Sequence, residues 1–124
     1  MKKIVLVEDN PDNRLLFRTL LQDLYEVAEY ESGVSAWESL RQEKPDLVLL
    51  DISLPDMDGL EVMRRIRDDA SLKGLPVIAL TAHAMAGDRK RFLDAGFDDY
   101  ITKPVLDETI LLEAIDRCLG RRGV

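Results

Sequence analysis

Leu47-Val48-Leu49-Leu50-Asp51-Ile52-Ser53-Leu54-Pro55-Asp56-Met57-Asp58-Gly59 is the stretch that decides the fold. Four consecutive apolar residues have the length of a strand buried on both faces; a strand with one wet face would alternate. The run stops on an acid, Asp51. Pro55, Asp56, Asp58 and Gly59 are turn formers, and Asp56 and Asp58 read as turn and cap residues. A helix is predicted from about Leu60 to Asp69, with Val62, Met63 and Ile66 as its apolar stripe.

The same strand–loop–helix unit recurs on both sides. Upstream, Ile4–Val7 is another continuous apolar run, ending in Glu8-Asp9-Asn10. Asn10 suits an N-cap and Pro11 the first helical turn. Phe17, Leu21 and Leu24 recur at helical spacing there, as do Leu16 and Leu20. Tyr25–Tyr30 reads as a second strand. Ser32-Gly33 opens a second helix with Ala36, Trp37 and Leu40 inward, and Lys44-Pro45 stops it. Downstream, Pro76–Leu80 is a strand ending at Thr81. A helix spans roughly Gly87–Ala95, with Gly96 suited to its C-terminal cap. Asp99–Thr102 is a short fifth strand, followed by Lys103-Pro104. The last helix, about Asp107–Leu119, carries Ile110, Leu111, Ala114, Ile115 and Cys118 inward, and Gly120 is expected to end it.

Five alternating units predict one domain over residues 1–124: an α/β fold, (βα)5, with a doubly wound five-stranded parallel sheet. The chain has 124 residues and a formal net charge of −7, which argues against a nucleic-acid partner, because phosphate backbones need a basic face. No stretch is apolar enough to span a membrane. The Ile4–Val7 run behind Lys2-Lys3 is too short for a signal peptide. The single cysteine, Cys118, cannot form an internal disulfide and reads as a small buried hydrophobe, which suits the cytoplasm.

Right-handed crossovers bring every loop that follows a strand to one sheet edge, where doubly wound sheets bind ligands. That edge gathers Glu8, Asp9, Asp51, Thr81 and Lys103. Three close carboxylates repel one another by about 4 kcal/mol per pair at about 4 Å with an effective dielectric of about 20. Such an oxygen-lined cluster calls for a hard divalent cation, Mg2+ first and Mn2+ as a substitute. Asp9 and Asp51 are the expected direct ligands, with the backbone carbonyl of Ser53 completing the set and Glu8 acting through water. Lys103 supplies a second positive charge and Thr81 a hydroxyl donor, the set needed to neutralise phosphoryl oxygens. Asp51 is the expected nucleophile, since a carboxylate can form an aspartyl phosphate.

On Val7-Glu8-Asp9-Asn10, the Leu50–Gly59 stretch, Leu80-Thr81-Ala82 and Tyr100-Ile101-Thr102-Lys103-Pro104, the sequence resembles the receiver domains of bacterial two-component response regulators. The resemblance covers essentially the whole chain. It implies the flavodoxin-like strand order 2-1-3-4-5 and a cis Lys103–Pro104 bond. It implies a phospho-accepting signalling protein that catalyses only its own phosphorylation and dephosphorylation. The donor would be a histidine kinase or a histidine phosphotransfer protein.

Phosphorylation of Asp51 would draw the Thr81 hydroxyl toward the phosphoryl group and let Tyr100 turn inward. A downstream protein would then read the helix four–strand five–helix five face. Ser53 and His83 would tune the phosphoryl lifetime. The protein would be a monomer or a weak phosphorylation-dependent dimer. The Asn10-Pro11-x-Asn13 opening is closer to DivK-like and hybrid-kinase receivers than to chemotaxis CheY. No effector segment follows the fifth helix, so a stand-alone receiver acting through protein contacts is expected.

Three other functions compete. A haloacid-dehalogenase-like phosphatase also uses an aspartate nucleophile, but wants a second aspartate two residues on, where this chain has Ser53. A flavin or dinucleotide carrier would need a glycine-rich loop where Glu8-Asp9 stands. A purely structural interaction module would leave the carboxylate cluster unexplained. Among the remaining residues, Met57 and Met63 read as packing residues and Trp37 as the lid of the second helix.

Overall fold

Strand β3 (Leu47–Asp51) is buried along its whole length, because it lies at the centre of the sheet. The computed structural model describes residues 1–82, 87–105 and 107–122. His83, singled out as a lifetime-tuning residue, lies outside them. Around β3 stand β1 (Lys3–Val7), β2 (Glu26–Tyr30), β4 (Val77–Thr81) and β5 (Asp99–Thr102). All pairings are parallel and the order is β2-β1-β3-β4-β5, as predicted. The helices are α1 (Pro11–Leu21), α2 (Gly33–Glu43), α3 (Gly59–Asp68), α4 (Asp88–Asp94) and α5 (Glu108–Arg122). Among the described residues no helix is long and apolar enough to cross a membrane.

Alternation along each strand divides the interior in two. Val5, Val7, Val48, Leu50, Val77 and Ala79 face one core with Ala36 and Leu40 of α2, Val62, Met63 and Ile66 of α3, and Phe92 of α4. Ile4, Leu6, Leu47, Leu49, Ile78 and Leu80 face the other with Phe17 and Leu21 of α1 and Leu111, Ala114, Ile115 and Cys118 of α5. The sheet is therefore covered on both faces, which is why its inner strands read as unbroken apolar runs. Trp37 and Met57 pack half-buried against the first core.

Four sequence expectations fail at helix ends and margins. Leu24 does not extend the stripe of α1: the helix ends at Leu21, the amides of Leu24 and Tyr25 both turn back to the Leu21 carbonyl, and Leu24 is exposed. Leu16 is likewise exposed, since Phe17 and Leu21 define the inward face about 100° away. In α5 Ile110 is 58% exposed. The buried stripe is Leu111, Ala114, Ile115 and Cys118, and Ile110 lies a quarter-turn off it. Gly120 does not stop this helix, which runs to Arg122. A glycine ends a helix by taking the left-handed conformation, and φ is positive only at Gly87 and Gly96 among the described glycines.

Gly96 does end α4, at φ 107. The Phe97 amide bonds to the Phe92 carbonyl and the Gly96 amide to the Leu93 carbonyl, both at 3.0 Å. This is a Schellman motif, completed by edge-to-face contact of the Phe92 and Phe97 rings at 6.0 Å. The Gly96 carbonyl accepts from Nε and Nη2 of Arg67 in α3. The same guanidinium donates to the carbonyls of Lys73 and Leu75 and to Asp98. All five of its N–H groups are thus used, stitching α3 to the loops entering β4 and β5.

Arg67→Ala should lower the unfolding free energy by about 3 kcal/mol, because buried carbonyls lose charge-assisted donors. Urea denaturation measures this, and a change below about 1 kcal/mol would remove Arg67 from the brace. Asp69, at the end of α3, accepts from the Ser71 hydroxyl and amide and from Arg41. The Ser71 hydroxyl, then Arg41, hold its carboxyl down at about 2. A depressed folded-state value adds stability at pH above the ordinary carboxylate range, which is lost as pH falls toward 2. Asp69→Asn should therefore flatten the stability–pH curve between pH 4 and 2, as read by thermal melts across that range.

Candidate functional site

The carboxyl edge of the sheet is built by chain segments that leave their strands one after another. The registers Val7↔Leu50, Asp51↔Leu80 and Thr81↔Thr102 bring the four strand ends level. β1 ends at Val7, and the Glu8 amide makes one last strand-like bond to the Tyr30 carbonyl at 3.0 Å. Glu8 is fully buried and Asp9 exposed. Arg14, at the end of the first turn of α1, reaches back to the carbonyls of Glu8 and Asp9. Asn10 caps α1, as expected, by accepting from the amides of Asp12 and Asn13.

Asp51 ends β3 and is 1% exposed. Its Oδ1 accepts from the Ser53 amide at 2.9 Å. The chain then loops to Gly59, whose amide bonds to the Ile52 carbonyl. A Cβ on Gly59 would lie 2.3 Å from the Asp51 carbonyl oxygen, so only glycine lets α3 start this close to the aspartate. Asp58 caps α3 through the Glu61 amide at 2.9 Å. Asp56 accepts from the amides of Gly33 and Val34 at 3.0 and 3.1 Å, tying the loop after Asp51 to the start of α2. Both aspartates are cap residues, as their turn chemistry suggested.

Lys103 arrives from the end of β5. Its amide bonds to the Thr81 carbonyl at 2.7 Å, and its peptide bond to Pro104 is cis, as the resemblance implied. Its Nζ donates to Glu8 Oε1 at 2.9 Å and to Asp51 Oδ2 at 3.0 Å. Burial pulls the ammonium down, but these two bonds outweigh it and hold Lys103 above its ordinary value. Burial also pushes the Glu8 carboxyl up to about 7, against the pull of Lys103.

One oxygen from each of Glu8, Asp9 and Asp51 lies within 4.8 Å of the others. Three carboxylates against one ammonium leave a formal excess of two negative charges, all on hard oxygen donors. A hard divalent cation of the magnesium class fits this donor set. Of the remaining predicted residues, Thr81 ends β4 beside Asp51 and is 8% exposed. Ser53 is exposed. Tyr100 lies half-buried on β5, its ring 5.5 Å from that of Phe92.

The sequence reading missed Arg14, Asp56 and Gly59 as parts of this edge. Gly59 was taken only as a turn former. Arg14 carries a weak signal: six residues after Glu8, just past a helix start, it can reach back to the loop.

The geometry agrees with what known proteins share with this chain. A family model described as the response regulator receiver domain matches residues 4–116. The polar-differentiation response regulator DivK of Brucella ovis is 45% identical over 105 residues, covering 84% of this chain and 85% of that protein. Sensor protein GacS of Pseudomonas syringae is 42% identical over 112 residues, covering 87% of this chain and 12% of that protein. Among solved structures, the receiver domain of a sensor histidine kinase from Pseudomonas aeruginosa superposes with a TM-score of 0.86 at 38% identity, covering 96% of this chain and 98% of that one. That structure holds a magnesium ion in its active-site cleft. Five parallel strands in the order 2-1-3-4-5, an acidic cluster at their carboxyl edge and a family match across nearly the whole chain lead to one conclusion: this chain belongs to the response regulator receiver domain family.

Proposed function

We propose that Asp51 is the phosphoacceptor of a two-component phosphorelay, taking its phosphoryl group from a phosphohistidine on a histidine kinase or a histidine phosphotransfer protein. The observation that carries this reading is the convergence of Glu8, Asp9 and Asp51 with Lys103 at one sheet edge. Asp9, Asp51 and the Ser53 carbonyl would hold Mg2+, or Mn2+ in its place, with Glu8 acting through water. Bound there, the cation would neutralise charge on the transferring phosphoryl group.

The chain's own groups do the positioning. The Ser53 amide holds one oxygen of Asp51 and Lys103 the other, so the nucleophile is fixed before the donor arrives. A carboxylate oxygen of Asp51 attacks phosphorus, a P–O bond forms, and the P–N bond to the donor histidine breaks with its electron pair returning to the ring. Lys103 then shifts from Asp51 to a phosphoryl oxygen, and the Thr81 hydroxyl donates to another. Later attack by water on phosphorus would break its bond to Asp51 and release inorganic phosphate, at a rate that Ser53 and His83 tune.

The message would pass through protein contacts. The Thr81 shift lets Tyr100 turn from its contact with Phe92, altering the α4–β5–α5 face. A groove of about 570 Å³ on that face is lined by Tyr100, Ile110, Arg89 and Arg117 among others. Asp99 binds Arg117 at 2.8 Å and lies 3.6 Å from Arg89, joining α4 and α5 across β5. This groove is the proposed seat of the downstream protein. A kinase-linked receiver with one buried thiol, Cys118, fits the cytoplasm, as a monomer or a weak phosphorylation-dependent dimer.

With acetyl phosphate and Mg2+, intact-protein mass spectrometry should find one phosphoryl group on the wild type and none on Asp51→Asn. Equal labelling of the two would sink the assignment. Lys103→Met leaves Glu8 and Asp51 buried without their ammonium, and removing one member of a buried pair costs about 3 kcal/mol. Its melting temperature should fall in EDTA and recover largely in Mg2+. An equal loss in both buffers would separate Lys103 from the cation site.

A further inference from the structure

Glu8 and Asp9 are neighbours in sequence, and neighbours on an extended strand point to opposite faces. Their carboxylates nevertheless both approach that of Asp51. The backbone must turn between them, and it does: β1 ends at Val7 and the chain bends at Asp9. Leaving the strand also frees carbonyl groups that need new donors. Arg14 supplies them, its Nη1 donating to the Glu8 carbonyl at 2.8 Å and to the Asp9 carbonyl at 3.1 Å. The guanidinium is aimed in turn by Glu29 of β2, whose carboxylate lies 3.9 Å from Nε. Arg14 itself is well ordered by helix: its amide bonds to the Asn10 carbonyl in the first turn of α1. One side chain therefore ties the bend to both α1 and β2.

We infer that Arg14 is the positioning residue of the acidic pair: by clamping the backbone of Glu8 and Asp9 it turns their carboxylates toward Asp51 and so sets the affinity for Mg2+. This rests on the metal-assisted reading above and adds a residue to it. The sign of the effect separates the clamp from simple electrostatics. A guanidinium beside a cation site repels the cation, so on charge alone its removal would tighten binding. A lost clamp weakens it, since partners that orient metal ligands typically govern affinity by about ten- to a hundredfold.

Calorimetric titration of the whole chain with MgCl2 tests this in the wild type, Arg14→Lys, Arg14→Ala and Arg18→Ala. The lysine variant keeps the charge but not the forked donor, and it tests the bonds even where the alanine variant fails to fold. Arg18 is the control: it also pairs with Glu29, at 3.2 Å, and donates to neither carbonyl. Both Arg14 variants should bind Mg2+ about tenfold more weakly and Arg18→Ala like the wild type. At saturating Mg2+ the labelling rate of Arg14→Lys with acetyl phosphate should return to the wild-type value. Wild-type affinity in Arg14→Lys, tighter binding in Arg14→Ala, or an equal loss in Arg18→Ala would each overturn the clamp. A wild type that binds no Mg2+ would overturn the metal site itself, and the clamp with it.

Discussion

Glu8 and Asp51 present their carboxylates to a single ammonium, that of Lys103, in a place where Glu8 is wholly buried and Asp51 nearly so. Buried like charges repel strongly, and the protein tolerates them here only because β1, β3 and β5 deliver the three groups to one point. Every larger feature serves that meeting. β1 and β5 flank the central strands from opposite sides, so the lysine must come from the far end of the chain to close the cluster. The two cores on either face of the sheet hold these strand ends level.

The fold was legible because its strands are buried on both sides. Ile4–Val7, Leu47–Leu50 and Val77–Leu80 are unbroken apolar runs, and each stops on a polar residue where it meets the edge. Helix boundaries were harder. Leu24 and Ile110 fit an apolar period on paper, yet one lies beyond the end of its helix and the other on the margin of its stripe. Periodicity marks the direction of a face but neither its width nor where the backbone turns away. Gly120 shows the same limit: a glycine permits a left-handed stop without requiring one.

Of the site, the residues that carry charge were legible and those that hold main chain were not. Glu8, Asp9, Asp51 and Lys103 are marked by standing at strand ends. Arg14 and Arg67 act on carbonyls, which have the same chemistry at every residue, so Arg67 leaves no trace in the sequence and Arg14 only the weak one of its spacing from Glu8. Gly59 works by lacking an atom, and its necessity becomes visible only when the Asp51 carbonyl is seen beside it. Asp56 looked like a turn residue, and it is one; what sequence could not disclose is that it also caps a helix in another part of the chain.

The guanidinium of Arg67 binds four partners at the edge opposite the acidic cluster: the carbonyls of Lys73, Leu75 and Gly96, and the carboxylate of Asp98. It makes the two ends of the sheet mechanically unequal. The amino edge is cross-linked by a planar group with all five of its donors engaged, while β5 is joined to the carboxylates of the acidic cluster through one flexible lysine. A disturbance at the acidic cluster is therefore absorbed where it arises or passed sideways into β5 and α4. The braced heel of the domain would then be the frame against which a small motion at the other end takes its direction.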